Sequence, residues 1–468
     1  MNNVPILKEI VMLRDEAARL LDYPNHAAFR LEENMAKNPA NVNAFLTDLQ
    51  SRLIAGGRKD LEALKALKKS DMESRGEIFN GHYFIWDNQY YGIFGRPAKY
   101  CRYFPLQSTI KGMLRTFQQL FGLAFVEIPS AESSGFSKYD GGEGLAWHED
   151  VQLYSVWDSK DEGGGFLGYL YLDLYSRENK CSNPSNWNLQ PGFVHENGTR
   201  HYPSTVLICA FSKPTPKKPT LLQHGEVVTL FHELGHGIHD LVSKTQFSRY
   251  HGTMTVIDFG EAPSQMLENW CWTPATLKSL SRHYSTLSEG CLRSWEEQAN
   301  GNPPPTETIP DEMIEKLIRA KNVNGTLFQL RVLHPSVLDM MIHQPETHEA
   351  LDQMNFSEQY NKIRKDLTGM GGPEVLGEGW EWGHGDGNMG HLVGDYDAGL
   401  YGYLYSKVFA DDMFQTVFEK EPMDAKAGRR YRYAVLEKEG GQDEMKTLTD
   451  FLGQEPKMDA FFEDLGIG

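Results

Sequence analysis

The sequence predicts a mainly helical α+β fold that contains one small, mostly antiparallel sheet. Three regions of different texture lead to this prediction. Residues 1 to about 80 carry apolar side chains at helical spacing, residues 81–215 contain short runs rich in Tyr, Val and Phe, and helical patterns return from residue 221. At 468 residues, the chain is long enough to form two or three lobes.

The N-terminal region has the pattern of a helical hairpin. Ile10, Leu13 and Leu20 recur at the spacing that places them on one face of a helix. Pro24 and Pro39 interrupt the pattern, and each predicts a break between helices.

The middle region predicts the sheet, because its apolar runs alternate or are continuous and are bounded by Gly and Pro clusters. The runs are YFIWDNQYYGIF (83–94), VQLYSVWD (151–158), FLGYLYLDLY (166–175) and TVLICAF (205–211).

Composition and charge limit the classes of partner. The net charge of −18 disfavours binding to nucleic acid and to anionic membranes, because a polyanion is repelled by phosphate groups. No run reaches the roughly 18 to 20 apolar residues that a membrane span needs, and the N-terminus lacks the apolar core of a secretion signal. The five cysteines have no CxxC spacing, which favours reduced thiols and a cytoplasmic location. Peptides or small molecules are the expected partners.

The segment TLFHELGHGIHD (229–240) has the spacing of a metal-binding helix. His232 and His236 lie one turn apart on a helix predicted over 225–242, so their imidazoles can converge on one ion. A catalytic zinc ion has three protein ligands and one water molecule, and Glu233 is placed to reach that water. The alternative is a chance HExxH, which the amphipathic helix and the acid-rich segment that follows it make less favourable.

The third ligand must come from another segment. His239 is seven residues from His232, about 10 Å along the helix axis, and cannot easily join both histidines on one ion. The segment VIDFGEAPSQMLENW (256–270) offers three carboxylates, and spacing alone does not choose among them. These are Asp258, Glu261 and Glu268.

FHELGH followed by DFGEAPSQMLENW resembles the thimet oligopeptidase, neurolysin and saccharolysin family of zinc oligopeptidases, peptidase family M3. LLDYPNHAAFRLEENMA, YFPLQSTIKGML and HLVGDYDAGLYGYLYS are similar to the family as well. The resemblance implies a zincin-like catalytic lobe in a helical, neurolysin-like architecture with one Zn²⁺ per chain. It also implies that Glu261 is the third ligand and that Asp258 orients a ligating histidine.

The same resemblance implies two domains. Residues 1–105 would form a helical lobe that is part of the wall of a substrate channel, and residues 106–468 would form the zinc-dependent catalytic domain. Family members are usually longer at the N-terminus, so we expect a short member that lacks part of that wall. Asp395 replaces a family glycine, Leu400 replaces a family tyrosine, and the segment 90–106 is shorter, which predicts a rebuilt channel lip.

A glycine-rich stretch with twelve glycines between residues 369 and 402 predicts a loop that folds over a substrate. GDGNMG (385–390) matches GxGxxG, but no apolar strand precedes it, which argues against nucleotide binding. By resemblance, His391, Tyr396 and Tyr403 contact bound substrate. Tyr403 would donate a hydrogen bond to the oxyanion and His391 would assist it.

These features predict a zinc oligopeptidase that cleaves internal bonds of short peptides, with Glu233 as general base. The peptide is expected to lie extended beside a sheet edge near 205–211. One alternative is a weakened peptide-binding or regulatory relative, because of Leu400 and the missing channel wall. Another is a zinc hydrolase that acts on a different amide or ester. The sequence leaves the physiological substrate and the oligomeric state open.

Overall fold

The computed structural model describes residues 3–91, 100–129, 145–438 and 440–467, so residues 92–99 of the predicted channel lip lie outside the described residues. Within these ranges, no helix is both long and apolar enough to cross a membrane. The α-helices are α1 (Asn3–Leu20), α2 (His26–Leu31), α3 (Pro39–Ser74), α4 (Asp87–Tyr91), α5 (Leu106–Phe121), α6 (His224–Val242), α7 (Ala262–Glu268), α8 (Pro274–Leu280), α9 (Glu289–Ala299), α10 (Asp311–Arg319), α11 (Gly325–His343), α12 (His348–Gln353), α13 (Phe356–Thr368), α14 (Gly390–Val393), α15 (Gly402–Met413), α16 (Ala425–Tyr431), α17 (Glu444–Leu452) and α18 (Asp459–Asp464).

A five-stranded sheet lies among these helices, in the order β1-β2-β3-β7-β4. Every neighbouring pair is antiparallel except β3 and β7, which are parallel, so the predicted mainly helical fold with a small, mostly antiparallel sheet is confirmed. The strands are β1 (Leu123–Ile128), β2 (Gln152–Asp158), β3 (Phe166–Tyr175), β4 (Ser185–Gln190), β5 (Phe193–Val194), β6 (Arg200–His201) and β7 (Ser204–Phe211).

Two predictions about the sheet need correction. Residues 204–208 of β7 pair on both sides, with β3 and with β4, so this part of the segment 205–211 is not an edge, whereas β4 does not pair with residues 209–211. The edge strand on that side is β4, whose polar sequence SNWNLQ was not predicted to be a strand. The described part of YFIWDNQYYGIF is not a strand either, because Asp87 accepts a hydrogen bond from the backbone N–H of Phe84 at 2.7 Å and α4 follows.

One face of the sheet packs on α6. Leu170, Leu172 and Leu207 point to this face and are buried, and Phe231 of α6 belongs to the same core cluster. That cluster also contains Leu7 of α1 and residues of α18, so the N-terminal helices share their core with the region that carries the predicted metal-binding helix.

Candidate metal and catalytic site

Helix α6 presents the predicted metal-binding histidines. Its first turn is stabilised by a capping box, in which Gln223 and Glu226 each accept a hydrogen bond from the backbone of the other. The buried stripe that includes Phe231 packs on the sheet, whereas His232 and His236 are only partly buried. The predicted helix over 225–242 is therefore confirmed to within one residue.

Gly235 allows α7 to approach α6 closely. A Cβ atom at Gly235 would lie 2.9 Å from the Cα atom of Ser264, which is shorter than an ordinary contact. Glu261 stands immediately before α7, and Ser264 donates a hydrogen bond to its backbone carbonyl at 3.0 Å. The close approach therefore brings the Glu261 carboxylate beside the two histidines.

Three donor atoms converge at this point. Oε2 of Glu261 lies 3.2 Å from Nε2 of His232 and 3.2 Å from Nε2 of His236. Ligands held at about 2.0 to 2.1 Å by a tetrahedral zinc ion lie about 3.3 Å from one another, so the spacing suits zinc. Of the three acids that the sequence left open, Glu261 is the one that joins the histidines, and in the described part of the chain no other such cluster was found.

A second carboxylate supports the histidine pair from outside. Nδ1 of His232 lies 2.8 Å from Oε1 of Glu268, the last residue of α7. A partner of this kind fixes the ring so that Nε2 faces the ion. Asp258 was predicted to orient a histidine, and this is not what the structure shows. Its carboxylate accepts hydrogen bonds from the backbone N–H groups of Met35 and Ala36 and from the Tyr401 hydroxyl.

The charges of the three donors depend on one another. Burial lowers the pKa of His232, but the hydrogen bonds and charges of Glu261 and Glu268 outweigh burial and raise this pKa to about 10. Burial raises the pKa of Glu261, and the two histidines reverse this and hold it well below its usual range. Without metal, His232 is therefore protonated at neutral pH, and metal binding must displace this proton.

The glycine-rich loop brings its predicted residues to the same place. The Tyr396 hydroxyl donates a hydrogen bond to Oε1 of Glu261 at 2.9 Å. The rings of Tyr396 and Tyr403 are stacked with centroids 5.1 Å apart, and the ring of His391 lies 5.4 Å from Tyr396 and 6.0 Å from Tyr403. Glu233, on α6 beside the metal donors, is half-buried.

Tyr403 is held in its protonated form. Burial, together with the charges of Glu261 and Glu233, raises its pKa to about 12, so the hydroxyl can donate a hydrogen bond at neutral pH. Its position is fixed through the backbone, because its carbonyl accepts a hydrogen bond from the Gln265 side chain at 3.1 Å. At Gly402, a Cβ atom would lie 2.9 Å from the carbonyl oxygen of Ile257, so glycine permits α15 to pack on this segment.

The structure adds features that the sequence did not predict. The carboxylate of Asp339 on α11 accepts hydrogen bonds from the backbone N–H groups of Ala398 and Leu400 at 2.9 and 3.0 Å. Leu400, at a position where the family resemblance placed a tyrosine, is buried. Edge strand β4 lies against α6, where a Cβ atom at Gly237 would be 3.0 Å from the Asn186 side-chain amide. The alternation of Asn, Trp, Asn and Leu in β4 is the only sequence signal for this strand.

Comparison with known proteins connects this geometry to one family. The profile of peptidase family M3 matches residues 1–467. Saccharolysin of Saccharomyces cerevisiae is 39% identical, over 99% of this chain and 61% of its own length. Oligopeptidase PhomG of Diaporthe leptostromiformis is 36% identical, over 97% of this chain and 64% of its own length. Oligopeptidase A of Escherichia coli is 30% identical, over 100% of this chain and 62% of its own length.

Solved structures share the fold at low sequence identity. Pyrococcus furiosus carboxypeptidase has a TM-score of 0.53 and 12% identity, over 99% of this chain and 73% of its own. PZ peptidase A with an inhibitor also has a TM-score of 0.53 and 12% identity, over 99% of this chain and 64% of its own. These likenesses confirm the predicted zincin-like fold class.

The chain spans about three-fifths of the length of the curated relatives that it matches. Within that span, the family profile covers nearly every residue, and the donor cluster is formed by the two motifs that carried the sequence resemblance. The predicted family is therefore confirmed, and the chain belongs to peptidase family M3.

Proposed function

We propose that this protein is a zinc-dependent oligopeptidase that hydrolyses internal bonds of short peptides. The observation that carries the proposal is the convergence of His232, His236 and Glu261, with Glu233 and Tyr403 beside them. The names of two relatives support the substrate class, because both are called oligopeptidases. The proposal also includes two domains, a helical lobe over residues 1–105 and a catalytic domain over residues 106–468. It includes a cytoplasmic location as well, which the absence of CxxC spacing supports.

The residues present suit a zinc ion, which His232, His236 and Glu261 would hold. When bound in such a site, zinc makes a water molecule acidic near neutral pH and polarises a carbonyl group. Tyr396 donates a hydrogen bond to the Glu261 carboxylate at 2.9 Å and so fixes its orientation, and the Ser264 hydroxyl, which donates to the Glu261 carbonyl, lies 3.2 Å from Oε2. This support lets the donor set keep its shape before metal arrives.

The remaining residues act on the peptide and on the attacking water. Glu233 accepts a proton from the water molecule and later passes it to the departing amine. Tyr403 donates a hydrogen bond to the oxygen of the scissile carbonyl as negative charge develops there, and His391 assists. Because its pKa is about 12, Tyr403 keeps the proton that this hydrogen bond needs.

The substrate backbone is expected to pair with edge strand β4. One side of β4 pairs with β7, and the described strands leave its other side available for an extended peptide. Recognition through backbone groups depends little on side chains, so the cleavage preference should be broad.

The test compares zinc-loaded wild type with Glu233→Gln on a library of quenched-fluorescent peptides of mixed length. We expect wild type to cleave, and we expect Glu233→Gln to retain one zinc ion and bind peptide but to lose at least about a hundredfold in kcat. Glu297→Gln, an exposed change on α9, serves as the matched control and should be as active as wild type.

Zinc-loaded wild type that cleaves no peptide would overturn the proposal. If such a sample still bound peptides, the peptide-binding alternative would replace it. Cleavage of other amides or esters in preference to peptides would support the alternative that the protein is a zinc hydrolase acting on a different amide or ester. The same library reports the longest peptide that is cut, which is the direct measure of length selection.

A further inference from the structure

The segment just before Tyr396 has little apolar packing of its own. Among residues 388–395, only Leu392 is buried, and His391, Val393, Gly394 and Asp395 are exposed. Apolar packing holds this segment only through Leu392 and the partly buried Met389, so the position of its exposed residues depends on polar contacts.

Those contacts come from the first two helices, α1 and α2, which we call the N-terminal hairpin (residues 3–31). Arg14 of α1 donates hydrogen bonds to the carbonyls of Leu392 and, at 3.2 Å, of Gly394. Arg30 of α2 donates to the carbonyl of Asp395 at 2.9 Å. Two arginines of the hairpin thus bind three backbone carbonyls within residues 392–395, more than 360 residues away in the sequence.

The same two arginines meet at a buried carboxylate. Asp397 is 7% exposed and lies 3.4 Å from Nη2 of Arg14, 3.2 Å from Nε of Arg30 and 2.5 Å from Nε2 of His26. Each arginine therefore binds a backbone carbonyl and the Asp397 side chain together. A rigid guanidinium with five donors is suited to such a bridge.

A second carboxylate, that of Asp339, is connected to Asp397 through hydrogen bonds. Asp339, which holds the N–H groups of Ala398 and Leu400, lies 2.8 Å from Nδ1 of His343, and Nε2 of His343 lies 3.3 Å from Nη1 of Arg14. Arginine cannot accept a hydrogen bond, so Nε2 of His343 is the acceptor and Nδ1 the donor. The backbone on the C-terminal side of Asp397 and the side chain of Asp397 are thus held by one continuous network.

Tyr396 lies directly between this network and the metal donors. Its hydroxyl binds Glu261, and its ring stacks on Tyr403. We propose that Asp397, Arg14, His26 and Arg30 are positioning residues, through which the N-terminal hairpin holds Tyr396 and Tyr403 in register with the reacting carbonyl. The inference rests on the proposed function, because it assigns these residues to the same reaction.

A charge-removing change can isolate this role. Leu7, Val11 and Leu31 are buried in the main core, so the hairpin keeps its apolar packing when Asp397 is changed. Asp397→Asn preserves the side-chain volume but removes the charge that draws both arginines together. The matched control is Asp158→Asn, which also removes one carboxylate partner from a buried arginine in a different part of the fold, Arg432, whose second partner is Glu437.

The test measures kcat, KM and hydrogen exchange for wild type, Asp397→Asn, Tyr403→Phe, the double variant and Asp158→Asn, all zinc-loaded. We expect Asp397→Asn to lower kcat at least about tenfold with little change in KM, because Tyr403 acts mainly in the transition state. In the Tyr403→Phe background, the same change should cost less than about threefold, because its target is already absent. Asp158→Asn should keep the wild-type kcat.

Hydrogen exchange gives a readout that does not depend on activity. In Asp397→Asn, the amides of residues 389–396 should exchange at least about tenfold faster, while those of α6 stay as in wild type. If Asp397→Asn fails to fold, Arg30→Met, at a partly exposed side chain, takes its place with the same expectations.

Unchanged exchange at residues 389–396 would overturn the inference, as would an equal loss of kcat with and without Tyr403. If wild type cleaves nothing while the exchange result holds, the proposed function fails but the anchoring of the loop by the hairpin stands. If wild type cleaves and Asp397→Asn cleaves equally well, only the positioning inference fails.

Discussion

Replacing Gly235 with alanine should weaken zinc binding without unfolding the protein. The new Cβ would lie 2.9 Å from Cα of Ser264 and 3.2 Å from Cδ1 of Leu267, whereas ordinary carbon contacts are about 3.5 to 4.0 Å. Helices α6 and α7 must therefore separate by roughly 0.5 to 1 Å. That shift moves Glu261 away from the histidines by more than the roughly 0.2 Å that zinc–ligand distances tolerate.

The expected magnitude follows from the cost of overpacking. Forcing one extra carbon into a packed contact costs about 1 to 3 kcal/mol, which corresponds to a rise of about 5- to 150-fold in the zinc Kd if the metal-bound form carries the strain. Metal-free protein can relax, and alanine stabilises a helix by about 0.5 to 1 kcal/mol relative to glycine. The loss in Tm should therefore be larger with zinc than without it.

The assay is a zinc titration against a competing chelator, with Tm measured for both forms. Gly290→Ala on α9 is the control, because a Cβ there would lie 3.7 Å from its nearest neighbour, the Pro216 carbonyl oxygen. Unchanged zinc affinity in Gly235→Ala would refute the argument that close helix approach places Glu261.

Three further changes test separate parts of the site. Tyr403→Phe should lower kcat about 100- to 1,000-fold with KM and zinc content nearly unchanged, measured by steady-state kinetics. Glu268→Gln should weaken zinc binding about 10- to 100-fold by chelator competition, because His232 loses its charged partner. Burial raises the pKa of Asp397, but the His26 hydrogen bond and the charges of Arg30 and Arg14 outweigh it and lower the pKa to about 2. Because this pKa is lower in the folded protein, ionised Asp397 stabilises the fold at pH values above its unfolded pKa of about 3.9, and this stabilisation is lost as the pH falls toward 2. In urea titrations of metal-free protein, wild type should therefore be more stable than Asp397→Asn by about 2 kcal/mol at pH 6, and the difference should shrink below pH 4.

Local periodicity explains which parts of the site the sequence predicted. His232, Glu233 and His236 belong to one helix, and their spacing fixes their relative positions wherever that helix packs. Glu261 came from the family resemblance, because spacing left three acids open. Glu268 was among those acids, but its position beside Nδ1 of His232 depends on how α7 packs on α6, which spacing does not encode.

Contacts between distant segments were not predictable in the same way. Strand β4 has a polar sequence because one of its edges and much of its surface are exposed, so the search for apolar runs missed it and placed the edge at β7. Asp258 follows a family pattern, yet its partners come from residues 35, 36 and 401, which only the folded chain brings together. The hydrogen bonds from Arg14 and Arg30 to the loop likewise join segments that only the folded chain brings together.

Titration of metal-free protein with zinc, followed by peptide cleavage, tests the central claim most directly. The claim is that His232, His236 and Glu261 hold the single ion on which cleavage depends. The activity of wild type should rise linearly with added zinc and stop rising at one zinc ion per chain. At the same zinc concentration, His236→Ala should bind no zinc and cleave no peptide. Full activity in the metal-free protein, or in His236→Ala, would contradict the account.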